Sequence, residues 1–217
     1  QKKRFLTPFT EAFRICSFAL TEPGAGSDAA GLATTAKRDG DHYILNGSKQ
    51  WITNGGVADL YTVFTTMDRS QRHKAITAFV VEKGAPGLRV GKKEDKMGHR
   101  CSDTRELHFE NCRIPAANRL GEEGEGFRIA MKTLDGSRPL VAAGAVGLGR
   151  AALEHATAYA KDRAQFGKPI AEFQGIQFML ADMAKDVEAS RLLTWSAAWL
   201  IDQKKPSAKE SAIAKCF

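Results

Sequence analysis

At 217 residues, 43% apolar and 26% charged, the chain has the composition of ordinary globular protein with a sizeable core, which excludes disordered, collagen-like and coiled-coil classes. The longest uncharged stretch in its apolar-rich part, Pro139 to Gly149, is about half of the roughly 20 apolar residues that a membrane helix needs. Thirty-two Lys and Arg against 25 Asp and Glu give a net charge of +7, a balance that favours anionic partners. The basic residues form short clusters at Gln1–Arg4, Gly91–Arg100 and Gln203–Lys205 without interleaved aromatics, so nucleic acid is not expected.

Residues 1–14 begin Gln1-Lys2-Lys3-Arg4 with no signal-like apolar run, and read as a linker or the end of a preceding helical domain in a longer protein. From about Ile15 to Ile114 the Asp39-Gly40, Asn46-Gly47 and Asn54-Gly55 pairs mark turns. Between them the runs Leu32–Lys37, His42–Leu45, Lys49–Thr53, Leu60–Thr66, Ile76–Glu82 and Arg105–Phe109 are rich in β-branched and aromatic residues. Residues 15–123 are therefore expected to form an antiparallel barrel or sandwich. Residues 124–217 are expected to be part of a helical bundle, giving an α+β protein. One helix opens with Pro139 in its first turn, where a missing N–H costs nothing, and runs to about Arg163. A second spans about Glu172 to Gln203, with Ile176, Leu180, Met183 and Val187 on one face that should pack against the first. A third starts near Ser207 and is cut off at Phe217.

Cys16, Cys101, Cys112 and Cys216 form no CxxC pair and no zinc-ligand spacing with histidine. Reduced thiols in an intracellular protein without a metal site are expected. Asn46-Gly47-Ser48 matches a glycosylation acceptor by letter but reads more simply as a turn. Gly24-Ala25-Gly26-Ser27-Asp28-Ala29 spells the GxGxxA dinucleotide pattern, but a strand, not a helix, follows it, so the required βαβ context is missing. The loop either offers N–H groups and the Ser27 hydroxyl to an anionic or polar ligand or serves as a structural turn. The residues alone leave both open.

Four blocks resolve this by resemblance. Ala19–Gly31 resembles the first signature of the acyl-CoA dehydrogenase family. Trp51-Ile52-Thr53-Asn54-Gly55 is similar to its flavin-side strand, Met97-Gly98 with Arg100–Thr104 to a middle-domain motif, and Arg163 with Gln165-Phe166-Gly167-Lys168 to its helical-domain motif. The resemblance implies a β middle domain that binds FAD and acyl-CoA, followed by the first helices of a C-terminal bundle. It also implies FAD-dependent conversion of an acyl-CoA thioester to its trans-2-enoyl form, the cofactor carrying the redox step, with electrons passing to an electron-transfer flavoprotein. An acyl-CoA oxidase and a non-catalytic flavin-binding module are the alternatives.

By the same resemblance Phe18, Leu20, Thr21, Gly26 and Ser27 line the flavin, Ser27 also reaching the substrate, and Trp51, Ile52 and Thr53 lie along the isoalloxazine. The family's usual tyrosine is Phe18 here. Without the resemblance, Trp51 would read as a packed core aromatic. Asp135 and Arg138 match acyl-CoA contacts, although their i, i+3 spacing by itself better suits a plain ion pair. Arg163, Gln165, Phe166 and Gln174 match contacts to the FAD of a neighbouring subunit, which implies a homodimer or homotetramer with shared sites. One of the two known positions for the family's catalytic glutamate corresponds to Ser137, which is no carboxylate, so the base is expected beyond Phe217 and the fragment alone is expected to be inactive. Glu22 reads as a loop or cap residue. The compartment implied is bacterial cytoplasm or mitochondrial matrix.

Overall fold

The computed structural model describes all 217 residues. Two short helical turns, α1 (Lys2–Phe5) and α2 (Pro8–Glu11), lead into eight strands: β1 (Cys16–Ala19), β2 (Thr35–Asp39), β3 (His42–Thr53), β4 (Leu60–Thr66), β5 (Ile76–Glu82), β6 (Leu88–Lys93), β7 (Thr104–Pro115) and β8 (Arg119–Leu120). Then follow α3 (Gly126–Asp162), the small hairpin β9 (Ala164–Gln165) and β10 (Lys168–Pro169), α4 (Gln174–Asp202) and α5 (Ala208–Cys216). The chain divides into two compact units, Gln1–Met131 and Lys132–Phe217.

In the first unit the strands pair in the order β6-β7-β3-β2-β4-β5-β8, with β1 added alongside β4. The path does not return from β8 to β6, so the sheet is not a closed barrel and the sandwich half of the expectation describes it. Nor is it wholly antiparallel: β1 with β4, and Thr35 of β2 with Thr66 of β4, pair in parallel. The all-antiparallel expectation failed there because hairpin turns signal only pairing between neighbours in sequence, whereas Cys16–Ala19 pairs with Leu60–Val63.

β4 and β5 are buried along almost their whole length, and alternation explains why. Tyr61, Val63, Phe79 and Val81 point into one cluster with Tyr43, Leu45, Ile52, Leu107 and Ile114. Phe64, Ile76 and Ala78, of opposite parity, point into a second cluster with Leu20, Ala25, Leu32 and Ala130. Two covered faces favour side chains without charge at every position, which is the run Ile76-Thr77-Ala78-Phe79-Val80-Val81, apolar but for the buried Thr77. The second face is roofed by the glycine-rich loop after β1 and by the first turns of α3.

Three expectations are corrected, and one strand was not foreseen. Asn46-Gly47 is not a turn: β3 runs through it with a shift of register between Leu45 and Gly47, a bulge. Gly47 has φ +142°, and a Cβ there would come within 2.6 Å of Thr34 Cα, so glycine serves close backbone approach rather than chain reversal. The strand expected at Leu32–Lys37 starts three residues later, because Ala29–Gly31 forms a 3₁₀ turn that delivers Leu32 to the core. The charged edge strand β6, with Arg89, Lys92 and Lys93, carried no strand signal, since charge is how edges are protected. Finally, α3 begins at Gly126, so Pro139 lies well inside it. A proline there removes one helical hydrogen bond, but Phe127, Ile129 and Ala130 hold the preceding turns by packing into the second cluster.

In the second unit Val187 of α4 comes within 3.5 Å of the Cβ position of Gly149 in α3, so the expected face does meet the first helix. Its buried apolar content is small: a cluster of Ala142, Ala197 and Ala214 with Leu193 packed against it, and Ala160. No helix is long and apolar enough to cross a membrane.

Candidate flavin and acyl-CoA site

The segment Leu20–Thr34 is fixed at both ends by one ion pair. Glu22 is 5% exposed and Lys49 fully buried, and Lys49 Nζ donates to Glu22 Oε1 at 2.7 Å and to the Leu20 carbonyl at 3.0 Å. The Glu22 carboxylate also accepts from the Ala33 N–H at 2.6 Å and the Thr34 N–H at 3.0 Å. Burial pushes the Glu22 carboxyl up, but the Lys49 charge and these hydrogen bonds outweigh it and hold the group below its ordinary range. Burial pushes the Lys49 ammonium down to about 8, against the pull of Glu22. Glu22 is thus an anchor, in keeping with the loop role read from the sequence.

Two more bonds join this segment and β1 before it to the end of β3: the Gln50 N–H donates to the Thr21 carbonyl at 2.9 Å, and Ser17 Oγ donates to the Thr53 carbonyl at 2.7 Å. Between Lys49 and Ile52 β3 shifts register again. There Trp51 takes φ +60°, a left-handed conformation that costs a bulky residue energy, and its ring is 55% exposed. A large aromatic held outward on strained backbone is no core residue, so the reading of Trp51 as packed interior is set aside.

The structure brings Phe18, Leu20, Thr21, Gly26, Ser27, Trp51, Ile52 and Thr53 into one neighbourhood, but in different roles. Gly26, Ser27, Trp51 and Thr53 are exposed, while Phe18 and Thr21 are half-buried. Phe18 packs against Phe64 with the rings tilted and their centroids 4.9 Å apart. The side chains of Leu20 and Ile52 belong to the two core clusters, so only their backbones can face a ligand. A Cβ on Gly24 or Gly26 would meet nothing within 4 Å, and neither glycine has positive φ. The fold itself therefore demands glycine at neither position; the bare loop leaves clear space beside its N–H groups.

The third block supports the second. Asp103 accepts from the Gly56 N–H at 2.6 Å and from Arg105 Nε at 2.9 Å, and its carbonyl accepts from the Asn54 N–H, fixing the turn that follows Thr53. Its carboxyl, raised by burial, is lowered further by these donors and ends below its usual range. Lys49 went unnoticed in the sequence. Its signal was there: it falls at an inward position of a strand, where a lysine is hardly ever found without a partner.

In the second unit, Arg138 donates to Asp135 within α3, the simple i, i+3 pair, with about a third of each side chain exposed. Ser137 Oγ is spent on the Leu134 carbonyl at 3.1 Å. Arg163, Gln165, Phe166 and Gln174 gather at the α3–α4 connection. Phe166 and Gly167 are the two turn residues of the β9–β10 hairpin, with φ +53° and +79°, both left-handed as a type I′ turn requires. Phe166 is 94% exposed, Arg163 and Gln174 are exposed, and the Arg163 guanidinium has no partner.

A sandwich bearing such a loop, followed by long helices, agrees with comparison against known proteins. Residues 17–112 match the acyl-CoA dehydrogenase middle domain and residues 124–217 the acyl-CoA dehydrogenase C-terminal domain. The chain belongs to the acyl-CoA dehydrogenase family. It is 54% identical over 215 residues to the mitochondrial short-chain specific acyl-CoA dehydrogenase of Rattus norvegicus, covering 99% of this chain and 52% of that protein. It is 53% identical over 216 residues to the short-chain specific acyl-CoA dehydrogenase of Megasphaera elsdenii, covering 99% of this chain and 56% of that protein. The solved butyryl-CoA dehydrogenase of Megasphaera elsdenii superposes with a TM-score of 0.96 at 52% identity, over 98% of this chain and 56% of that one. A chain solved in work on the electron transferring flavoprotein of Acidaminococcus fermentans superposes equally well, TM-score 0.96 at 53% identity, over 99% and 57%. The chain thus spans about half the length of the curated relatives it matches.

Proposed function

We propose that this chain belongs to an FAD-dependent enzyme that oxidises a short acyl-CoA thioester to trans-2-enoyl-CoA and passes the electrons to an electron-transfer flavoprotein. The observation that carries the reading is the outward Trp51 on strained backbone beside the open Thr21–Ser27 loop, in a chain more than half identical to short-chain specific acyl-CoA dehydrogenases. The donor set fits FAD: an exposed indole face for a flat conjugated ring, hydroxyls of Thr21 and Thr53 beside it, and Ser27 with the bare Gly26 backbone as donors for phosphate oxygens. When bound, FAD supplies the two-electron oxidation.

The chain's own groups position and polarise. A hydroxyl from Thr21 or Thr53 stabilises negative charge developing at the ring edge. Asp135 and Arg138 contact acyl-CoA. Arg163, whose free fork suits a pyrophosphate, reaches with Gln165, Phe166 and Gln174 to the FAD of a neighbouring subunit in a homodimer or homotetramer. The proton-abstracting glutamate lies beyond Phe217, and the 217 residues alone are inactive. The division into a middle domain at 15–123 and bundle helices from 124, and a location in bacterial cytoplasm or mitochondrial matrix, complete the reading. An oxidase is the second reading, since the chain is also 40% identical, at a TM-score of 0.96, to the prolyl acyl carrier protein oxidase AnaB.

The test is to mix the full-length flavoprotein with butyryl-CoA without oxygen. Loss of the visible flavin band is expected; flavin that stays oxidised would refute the reading. Slow return of colour in air with fast return on adding electron-transfer flavoprotein marks the dehydrogenase, and fast return in air alone marks the oxidase.

A further inference from the structure

Beyond the residues that would touch FAD, we propose that the buried Glu22–Lys49 pair is a positioning device that sets the flavin loop against the indole strand. The inference rests on the flavin reading above. A buried ion pair is weak evidence of stabilisation, because apolar replacements of the same volume are often neutral or stabilising. Here the pair ties together separate stretches of backbone. Lys49 holds the Leu20 carbonyl just before Thr21, and Glu22 holds the N–H groups of Ala33 and Thr34, where the loop rejoins the sheet. Lys49 itself lies two residues before Trp51, across the bulge that turns one side chain inward and the other outward.

Between Glu22 and Gly31 the backbone bonds are local, the mutual pair between Glu22 and Ala25 and the Gly31 N–H to the Asp28 carbonyl; the bonds that leave the segment lie at its ends, Gln50 N–H to the Thr21 carbonyl and Thr66 N–H to the Thr34 carbonyl. Arg72 reaches Asp28 from outside, at 2.8 and 2.9 Å, but that pair is exposed on both sides. Together with the Gln50–Thr21 bond and the core packing of Leu20, Ala25 and Leu32, Glu22 and Lys49 therefore set where Thr21, Gly26 and Ser27 stand relative to Trp51 and Thr53. Neither side chain is exposed to a ligand, so both act through the groups they hold.

The experiment uses full-length apoprotein carrying Glu22→Gln with Lys49→Met. The introduced glutamine keeps an acceptor for the Ala33 and Thr34 N–H groups, and the introduced methionine fills the lysine's volume without a charge. The expected result is an unfolding midpoint near that of the wild type and FAD affinity weaker by roughly ten- to a hundredfold, the scale on which partners one layer behind a bound group act. At saturating FAD, shifted visible bands and a shifted flavin reduction potential are also expected. Should that variant not fold, Glu22→Asp keeps the charge and withdraws it by one methylene, with the same effects expected at smaller size. Wild-type affinity, bands and potential in either folded variant would overturn the proposal. So would an affinity loss that follows lowered stability while bands and potential at saturation stay unchanged, since a purely structural pair behaves that way. A wild-type protein that takes up no FAD overturns the flavin reading and this inference together.

Discussion

The two units of the chain bury very different things. In Gln1–Met131 the fully buried aromatic side chains are Tyr43, Tyr61, Phe64, Phe79 and Phe109, locked between strands. In Lys132–Phe217 the buried apolar side chains are four alanines, three of them in one cluster, while Leu140, Leu148, Phe178, Trp195 and Trp199 are each more than half exposed. Arg191 and Lys205 lie over the two indoles at 4.2 and 4.7 Å, which partly covers them. The sheet unit thus carries its own core, whereas the helices display an apolar surface of the kind that marks contact with further protein.

The largest effect expected concerns the buried pair. Lys49→Met alone strands the Glu22 carboxylate, and the sheet unit should lose about 3–5 kcal/mol in denaturant unfolding; near-wild-type stability would mean that water reaches Glu22. The same carboxylate sets an acid limit. Its folded pKa lies below the ordinary 4.5, so its contribution is complete above that pH and is lost as pH falls through the folded value. Glu22→Gln should flatten this part of the stability profile.

Removing a ring sharpens the contrast. Phe79→Ala should cost about 3–5 kcal/mol, whereas Trp199→Ala in the 217-residue chain should stay within about 0.5 kcal/mol. Equal losses would show that the helical surface is covered within the chain. The smallest effect divides one helix. Gly126→Ala would place a Cβ 2.7 Å from the Ile76 carbonyl and should destabilise by about 1–3 kcal/mol. Gly144→Ala has nothing within 4 Å and should stabilise by about 0.5–1 kcal/mol through helix propensity. Matching signs in thermal unfolding would refute the assignment of crowded and open faces.

Much of this was legible from residue patterns. Leu60–Thr66 and Ile76–Glu82 stand in the structure where their β-branched and aromatic runs put them, and α4 lies within two residues of its expected ends. What escaped was long-range. An Asn-Gly pair signals reversal and bulge alike, and only Thr34, brought up against Gly47, decides between them. Pro139 reads as a helix start until the packing of Phe127 and Ala130 is known. The site was legible as four blocks but not as a machine: Glu22 and Lys49 lie 27 residues apart. That Trp51 faces outward follows from a bulge that no local pattern announces.

The tight hairpin at Phe166-Gly167 bears on the kinetics of assembly. Its ends are paired, the Ile170 N–H returns to the Arg163 carbonyl at 2.8 Å, and the Phe166 ring meets Phe173 edge-on at 6.1 Å. A protruding tip already frozen in one shape gives up little freedom when it docks. In the oligomer proposed above, capture of this tip by a neighbouring subunit would resemble the seating of a rigid key, its speed set by orientation rather than by ordering a loop.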